Sequence, residues 1–223
     1  MDVTELLPSR LYVLGFPVGQ VYLWRGDDGL TLVDTGLPGS APAIAAALRG
    51  LGHRPGDVRR VLLTHHHVDH AGSAAEIAGW GEVTVHAHAA DAPVVRGAAS
   101  GAPIRFTGDW ERALYEQVHA DLPDVPAPPV EVARELGDGD VIDLGGEEAV
   151  ALAAPGHTAG SVAFHLPGAR VLFTGDTIAR APGGEVMPGV FNADPAAAAV
   201  SMRRQLELDV RVTCFGHGAP LVT

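Results

Sequence analysis

The chain has 223 residues, 47% hydrophobic and 19% charged, a balance that suits a folded core and excludes the disordered and fibrous classes. Its formal charge of −12 opposes contact with phosphate backbones and anionic lipid, so neither nucleic acid nor a membrane is an expected partner. The single cysteine, Cys214, rules out an internal disulfide or a CxxC motif, and the N-terminal MDVTELLPSRLYVL lacks a basic and apolar leader, which makes the cytoplasm the expected location.

In chain order, short apolar runs bounded by glycine and proline read as strands at 11–14, 18–25, 30–34 and 60–63. Ser40 is placed as the N-cap of a helix over PAIAAALRGLG, and a second helix is expected over 71–79, before a strand at 83–86. The stretch 91–134 differs in texture. It carries GAASGAP, Pro123, Pro126, Pro128 and Pro129 around one amphipathic helix at 109–122, and it reads as an insert that is either a lid or a surface connection. Further strands follow at 141–144, 148–153, 161–166, 170–174 and 210–215, with Asp194-Pro195 opening a helix ahead of the last. This order predicts one α/β domain over 1–223: two mixed sheets in a four-layer αβ/βα sandwich with outer helices.

The run THHHVDH at 64–70 follows the apolar strand VLLT directly, and its HxHxDH spacing alternates in a way that a solvated polar face has no reason to adopt. Histidines two apart on extended chain point the same way, and an Asp-His pair entering a helix can turn back toward them. Three more polar residues stand at strand ends beside glycine: His157 in APGHTAGS, Asp176 in FTGDT and His217 in FGHG. Imidazoles and carboxylates without a thiolate suit zinc, with iron or manganese as alternatives. Two such ions roughly 3.5–4 Å apart share a hydroxide at neutral pH, which removes the need for a serine, cysteine or lysine nucleophile.

These motifs stand in the order found in the metallo-β-lactamase superfamily, which the chain resembles over nearly its full length. The resemblance implies that His65, His67 and His157 hold one metal, that Asp69, His70 and His217 hold the other, and that Asp176 bridges them. It implies two zinc ions per chain and a catalytic role for Asp69, which orients the bridging hydroxide and takes part in proton transfer. Within TLVDTG, Asp34 either orients a ligand histidine, as in the family, or caps the turn before Gly36. Thr158 and Ser161 resemble supporting residues of the family's GHTxGS turn.

Other histidines carry weaker signals. His66 is expected to point away from its neighbours, His86 and His88 to be strand-end polar groups, and His53, His119 and His165 to have no role; Cys214 is expected as a buried hydrophobe. The expected substrate is a small ester, lactone or thioester, neutral or singly anionic. Six residues follow His217 where a glyoxalase II-like enzyme has a further helical region, so glutathione thioesters are not favoured. Ala179 stands where quorum-signal lactonases usually have tyrosine. Alternatives are a mononuclear iron sulfur oxygenase, a β-lactam or phosphodiester hydrolase, and a non-catalytic binding module. In the loop after Asp176, Arg180 or Asn192 is expected either to orient substrate or to hold the loop together, and Trp110 or Tyr115 of the insert to offer apolar surface.

Overall fold

The computed structural model describes residues 1–120 and 126–223, so the end of the expected 109–122 helix and Pro123 lie outside the described residues. In chain order, β1 (Asp2–Leu7), β2 (Leu11–Gly15), β3 (Gln20–Arg25) and β4 (Leu30–Val33) are followed by α1 (Ala41–Gly50) and β5 (Val58–Leu62). Then come α2 (Val68–Ala71), α3 (Ala74–Ala78), β6 (Thr84–His88), α4 (Ala92–Val95), α5 (Asp109–His119) and β7 (Arg134–Leu136). The second half comprises β8 (Val141–Asp143), β9 (Glu148–Ala153), β10 (Val162–Leu166), β11 (Val171–Gly175), β12 (Ile178–Arg180), β13 (Val186–Pro188), α6 (Pro195–Leu206), β14 (Val212–Phe215) and β15 (Leu221–Val222).

Among the described residues, β1 to β7 form one sheet in sequence order, β15-β14-β11-β10-β9-β8 a second, and β12 and β13 a hairpin. The period-2 alternation of the strands decides what faces what. Leu11, Val13, Tyr22, Trp24 and Leu62 point inward against Val162, Phe164, Val171 and Phe173 of the second sheet. The alternate residues Leu14, Val21, Leu23 and Val61 point outward, under Ile44 and Leu48 of α1 and Ile77 of α3. A smaller outer cluster, Leu152, Ala163 and Leu172, packs with Leu208 and Val210 after α6. The α/β sandwich expected from the strand order is the observed architecture.

Local departures have non-local causes. The helix expected over 71–79 is broken between α2 and α3, because loop 37–38 packs into the break: a side chain at Gly72 would meet the Pro38 nitrogen at 2.4 Å. Ser73 Oγ donates there to the Leu37 carbonyl and accepts from the Ser40 amide. Ser40 therefore precedes α1 without capping it by its side chain, whereas Asp194 does cap α6, accepting from the amides of Ala196 and Ala197.

Strand direction explains where the polar motifs converge. Strands β4, β5 and β6 pair in parallel, so 34–35, 64–70 and 89–91 all leave the same edge of the first sheet. In the second sheet β11 and β14 are parallel, and β9 runs the same way through two antiparallel pairings, so 154–157, 176 and 216–217 leave a common edge too. Both edges meet at one end of the sandwich, where ligands of open α/β sheets gather. Val162 donates from its amide to the Thr64 carbonyl, and Tyr22 donates from its hydroxyl to the Phe215 carbonyl, joining the sheets there.

Asp91, buried just after β6, ties three of these turns together. Its carboxylate accepts from the His66 amide at 3.0 Å, the Thr158 hydroxyl at 2.8 Å and the Gly160 amide at 2.8 Å. Asp91→Ala would leave the His66 and Gly160 amides without this partner, at about 1–3 kcal/mol each, while the Thr158 hydroxyl keeps Ser161 Oγ. Its urea midpoint is expected to fall by an amount equivalent to roughly 2–5 kcal/mol; a change below about 0.5 kcal/mol, the scale of an ordinary surface substitution, would deny Asp91 that role.

Candidate metal centre

Seven polar side chains from four strand-end segments form one cluster at this end of the sandwich. His67 Nδ1 lies 2.9 Å from His157 Nε2, and the rings of His65 and His157 are 4.7 Å apart between centroids. Next to this group, His70 Nε2 is 3.4 Å from His217 Nε2 and 3.5 Å from Asp69 Oδ2, while His217 Nε2 is 3.2 Å from Asp69 Oδ2. Asp176 touches both groups, with Oδ1 3.3 Å from His70 Nε2 and Oδ2 3.5 Å from His157 Nε2 and 3.2 Å from His217 Nε2. His65, His67 and His157 have ligand atoms close enough to hold one ion; so do Asp69, His70 and His217, and so do His65, His70 and Asp176.

The residues fit such an ion by their unmet valences. His65 Nε2 and Asp176 Oδ1 are buried and have no hydrogen-bond partner, and ring nitrogens of His67 and His157, and of His70 and His217, face one another at 2.9 and 3.4 Å. The remaining nitrogen of each inner ring is held from behind. His65 Nδ1 meets the Thr64 hydroxyl at 3.0 Å, His70 Nδ1 meets Asp34 Oδ2 at 2.8 Å, and His157 Nδ1 meets the Val190 carbonyl at 3.1 Å. Each of these contacts directs Nε2 into the cluster and selects the tautomer that leaves a lone pair there.

Asp34 sits at φ 62°, in the left-handed region that a non-glycine residue occupies only when its surroundings compel it. Its carboxylate accepts from the Thr64 amide and the Thr64 hydroxyl, both at 2.8 Å, besides facing His70. Asp34 therefore reaches His70 directly and His65 through Thr64. Gly216 lets the backbone pass beside the cluster: a side chain there would collide with Asp176 Oδ1.

Charge divides the cluster. Burial pushes His65 and His67 well below the ordinary imidazole value, with neighbouring histidines adding to the effect. Burial acts the same way on His70 and His217, but Asp176 and the other carboxylates outweigh it, raising His70 well above its usual value and His217 to about 10. Burial would raise Asp176, yet His217 and His70 hold it well below the carboxylate range. Positive charge is thus favoured where Asp69, Asp176 and His217 meet.

A cavity of about 1030 Å³ opens over the cluster, lined on one side by Asp69, Asp176 and His217 and on the other by the insert. Tyr115 lines it, whereas Trp110 lies outside the lining and is 58% exposed. Asn192 is buried behind the wall, its amide donating to the Gly189 carbonyl at 2.8 Å. Arg180 reaches the cavity, but its guanidinium donates to the carbonyls of Gly184, Ala219 and Pro220, knitting two loops together. Thr158 bonds Asp91 and Ser161 and touches no clustered ring nitrogen.

Three further residues escape a reading of the sequence. His66 and His119 line the cavity, His66 against Gly101 of the insert and His119 stacked on Tyr115 at 3.7 Å between centroids. Glu111 is buried, and its carboxylate accepts from the Thr107 amide and hydroxyl and from the Phe191 amide at 2.7 Å, fastening the insert to the loop after Asp176. The first turn of a helix ordinarily carries an exposed acid, so nothing in DWERALYEQ sets Glu111 apart.

Comparison with known proteins bears on the same features. Residues 14–217 match the sequence model of the metallo-beta-lactamase superfamily. The chain is 34% identical over 178 residues to a hydroxyacylglutathione hydrolase of Fuscovulum blasticum, covering 79% of this chain and 55% of that protein. It is 28% identical over 206 residues to a probable metallo-hydrolase of Bacillus subtilis, covering 85% and 75%. The chain spans little more than half the length of the first of these curated relatives. Among solved structures, a Cronobacter sakazakii metallo-beta-lactamase with an HARLDQ motif superposes with a TM-score of 0.75 at 25% identity, covering 98% of this chain and 78% of that one. A metallo-beta-lactamase family protein of Thermus thermophilus gives 0.71 at 26%, covering 98% and 76%. Because the match runs from β2 through every clustered residue to His217, on a fold shared across nearly the whole chain, this protein belongs to the metallo-β-lactamase superfamily.

Proposed function

We propose that the protein is a metal-dependent hydrolase of the cytoplasm that holds two divalent ions, zinc first among them, and cleaves a small ester, lactone or thioester. The observation that carries this reading is Asp176, whose two oxygens face histidines of both groups in a cluster with unmet buried valences. His65, His67 and His157 would hold one ion, Asp69, His70 and His217 the other, with Asp176 between them. Ions held there supply Lewis acidity and an acidified water, the chemistry of hydrolysis without a side-chain nucleophile. The relatives named for hydrolysis of hydroxyacylglutathione keep thioesters within the proposed class.

The chain's own residues divide the remaining work. Asp69 lines the cavity and is the carboxylate placed to orient the attacking water and accept its proton. Asp34, Thr64 and the Val190 carbonyl hold His70, His65 and His157 with Nε2 turned into the cluster. A mononuclear iron oxygenase needs only one group of ligands; the full second group of Asp69, His70 and His217 favours the dinuclear reading. Phosphodiesters suit the site poorly, since the described cavity wall offers a single arginine whose donors are spent on backbone carbonyls.

Metal analysis of the purified protein should find two ions per chain. Chelation should lower Tm by roughly 5–10 °C relative to protein in zinc at about 100 times its Kd, since that excess contributes about 2.7 kcal/mol to a chain of this size. An unchanged Tm would deny the cluster a bound ion.

Asp176→Ala should lose at least one ion per chain and reduce hydrolysis by about three orders of magnitude or more, because it removes a carboxylate that faces both groups. Retention of both ions with near-full turnover would remove the bridging assignment.

Asp34→Asn keeps the side chain's size but weakens its hold on His70, and should lower zinc affinity by about 10–100-fold while costing the metal-free protein about 1–3 kcal/mol, because the amide nitrogen cannot accept the bonds that Oδ2 did. Competition with a chelating dye measures the first and urea titration the second; equal zinc affinity would leave Asp34 as a turn residue only.

A further inference from the structure

We infer that the insert side of the cavity is a binding site for an uncharged apolar tail, so that the preferred substrates carry an alkyl or aryl chain rather than a polar or charged one. The inference rests on the hydrolase reading above, since it names the substrate class of the same site. Val95, Ile104, Leu114, Tyr115, Val118 and Phe191 line the side of the cavity facing the metal cluster. Apart from Asp69 and Asp176, Arg180 is the one Asp, Glu or Arg side chain among the described lining residues, and it is occupied with the carbonyls of Gly184, Ala219 and Pro220. A substrate whose far end carried a carboxylate would lose water there and meet no free arginine or lysine, with the ring nitrogens of His66 and His119 as its polar contacts.

The wall is built rather than left to chance. Phe191 sits at φ 62°, a strained conformation for a bulky residue, and its amide is held by the buried Glu111. Its ring packs edge-on against Tyr115, at 5.2 Å between centroids, and Tyr115 in turn stacks on His119. The Arg105 amide donates to the Asn192 carbonyl, tying the insert to the loop after Asp176, and the Val130 amide donates to the Val95 carbonyl, joining the insert's two flanks to each other. A preformed apolar wall needs little ordering when a tail enters, and the volume of about 1030 Å³ lies at the upper end of ordinary ligand pockets, leaving room for a tail beside the reacting group.

The test uses zinc-loaded protein and two series. The first is the p-nitrophenyl esters from acetate to decanoate, for which kcat/KM should rise about four-fold per methylene over several methylenes. The second is the uncharged, non-hydrolysable 2-alkanones, whose Kd by calorimetry should tighten with length in step, while 9-oxodecanoate should bind at least about ten-fold more weakly than 2-decanone. Leu114→Gln and Val118→Gln should each flatten both series, Val118 being 43% exposed and thus a position where substitution spares the fold. Ketone affinities that ignore chain length, or a terminal carboxylate that costs nothing, overturn the tail site. Length-dependent ketone binding without cleavage of any ester, lactone or thioester leaves the tail site standing and overturns the hydrolase reading instead.

Discussion

Everything at the active end of this molecule follows from the burial of two carboxylates among five imidazoles with too few protons to pair them. Asp176 and His70 are packed where water cannot reach them freely, and isolated charge in such a place costs several kcal/mol per ion. Hydrogens shared between facing rings still leave His65 Nε2 and Asp176 Oδ1 buried without a partner. A divalent cation resolves both problems at once, meeting lone pairs and neutralising carboxylates, and this is why the donor set points to metal rather than to a proton relay.

Holding such an arrangement requires anchors outside it, and the fold supplies them through strand direction. Parallel pairing of β4, β5 and β6 brings Asp34, Thr64 and Asp91 to one edge, where each braces a turn that carries clustered histidines. The second sheet delivers His157, Asp176 and His217 from strands of common direction. Asp91 crosses between the two sets, bonding the His66 amide of one and the Gly160 amide of the other. The strain at Asp34 is tolerated because its carboxylate meets three partners, more than offsetting a left-handed backbone that costs about 1–3 kcal/mol.

What the sequence makes legible is local. An apolar strand ending in the HxHxDH run, or in a polar residue beside glycine as at His157, Asp176 and His217, is a pattern contained in a dozen residues, so the seven clustered side chains stand out in the sequence, as does the strand order of the two sheets. Asp91 and Glu111 do not, because their partners are 67 and 80 residues away and an acid at a helix start has an ordinary local explanation. The same blindness to distant packing accounts for the helix broken at Gly72 by Pro38. Strand β1 escapes notice because DVTELL is mostly exposed and shows no apolar run, being an edge strand held through its pairing with β2. Arg180 and Asn192 stand on the expected loop, but whether a loop side chain faces the cavity or its own backbone depends on turns that composition does not encode.

The cavity therefore joins two surfaces built by different rules. Its floor is made of strand ends, where ladder hydrogen bonds fix position closely and charged groups are held by second contacts. Its roof is an insert that fills the gap between β6 and β7, packed by aromatic rings and fastened at one buried carboxylate, Glu111. On the proposed reading, reaction type rests on the floor, where small displacements of a ligand matter greatly, and choice of substrate on the roof, where apolar contact tolerates change in shape and length. Glu111 couples the two, because the loop whose Phe191 amide it holds also carries the Val190 carbonyl that orients His157. The peptide group that joins Val190 to Phe191 thus meets a ring of the floor through its carbonyl and the insert through its amide, so on the proposed reading the apolar wall and the reactive geometry share one loop.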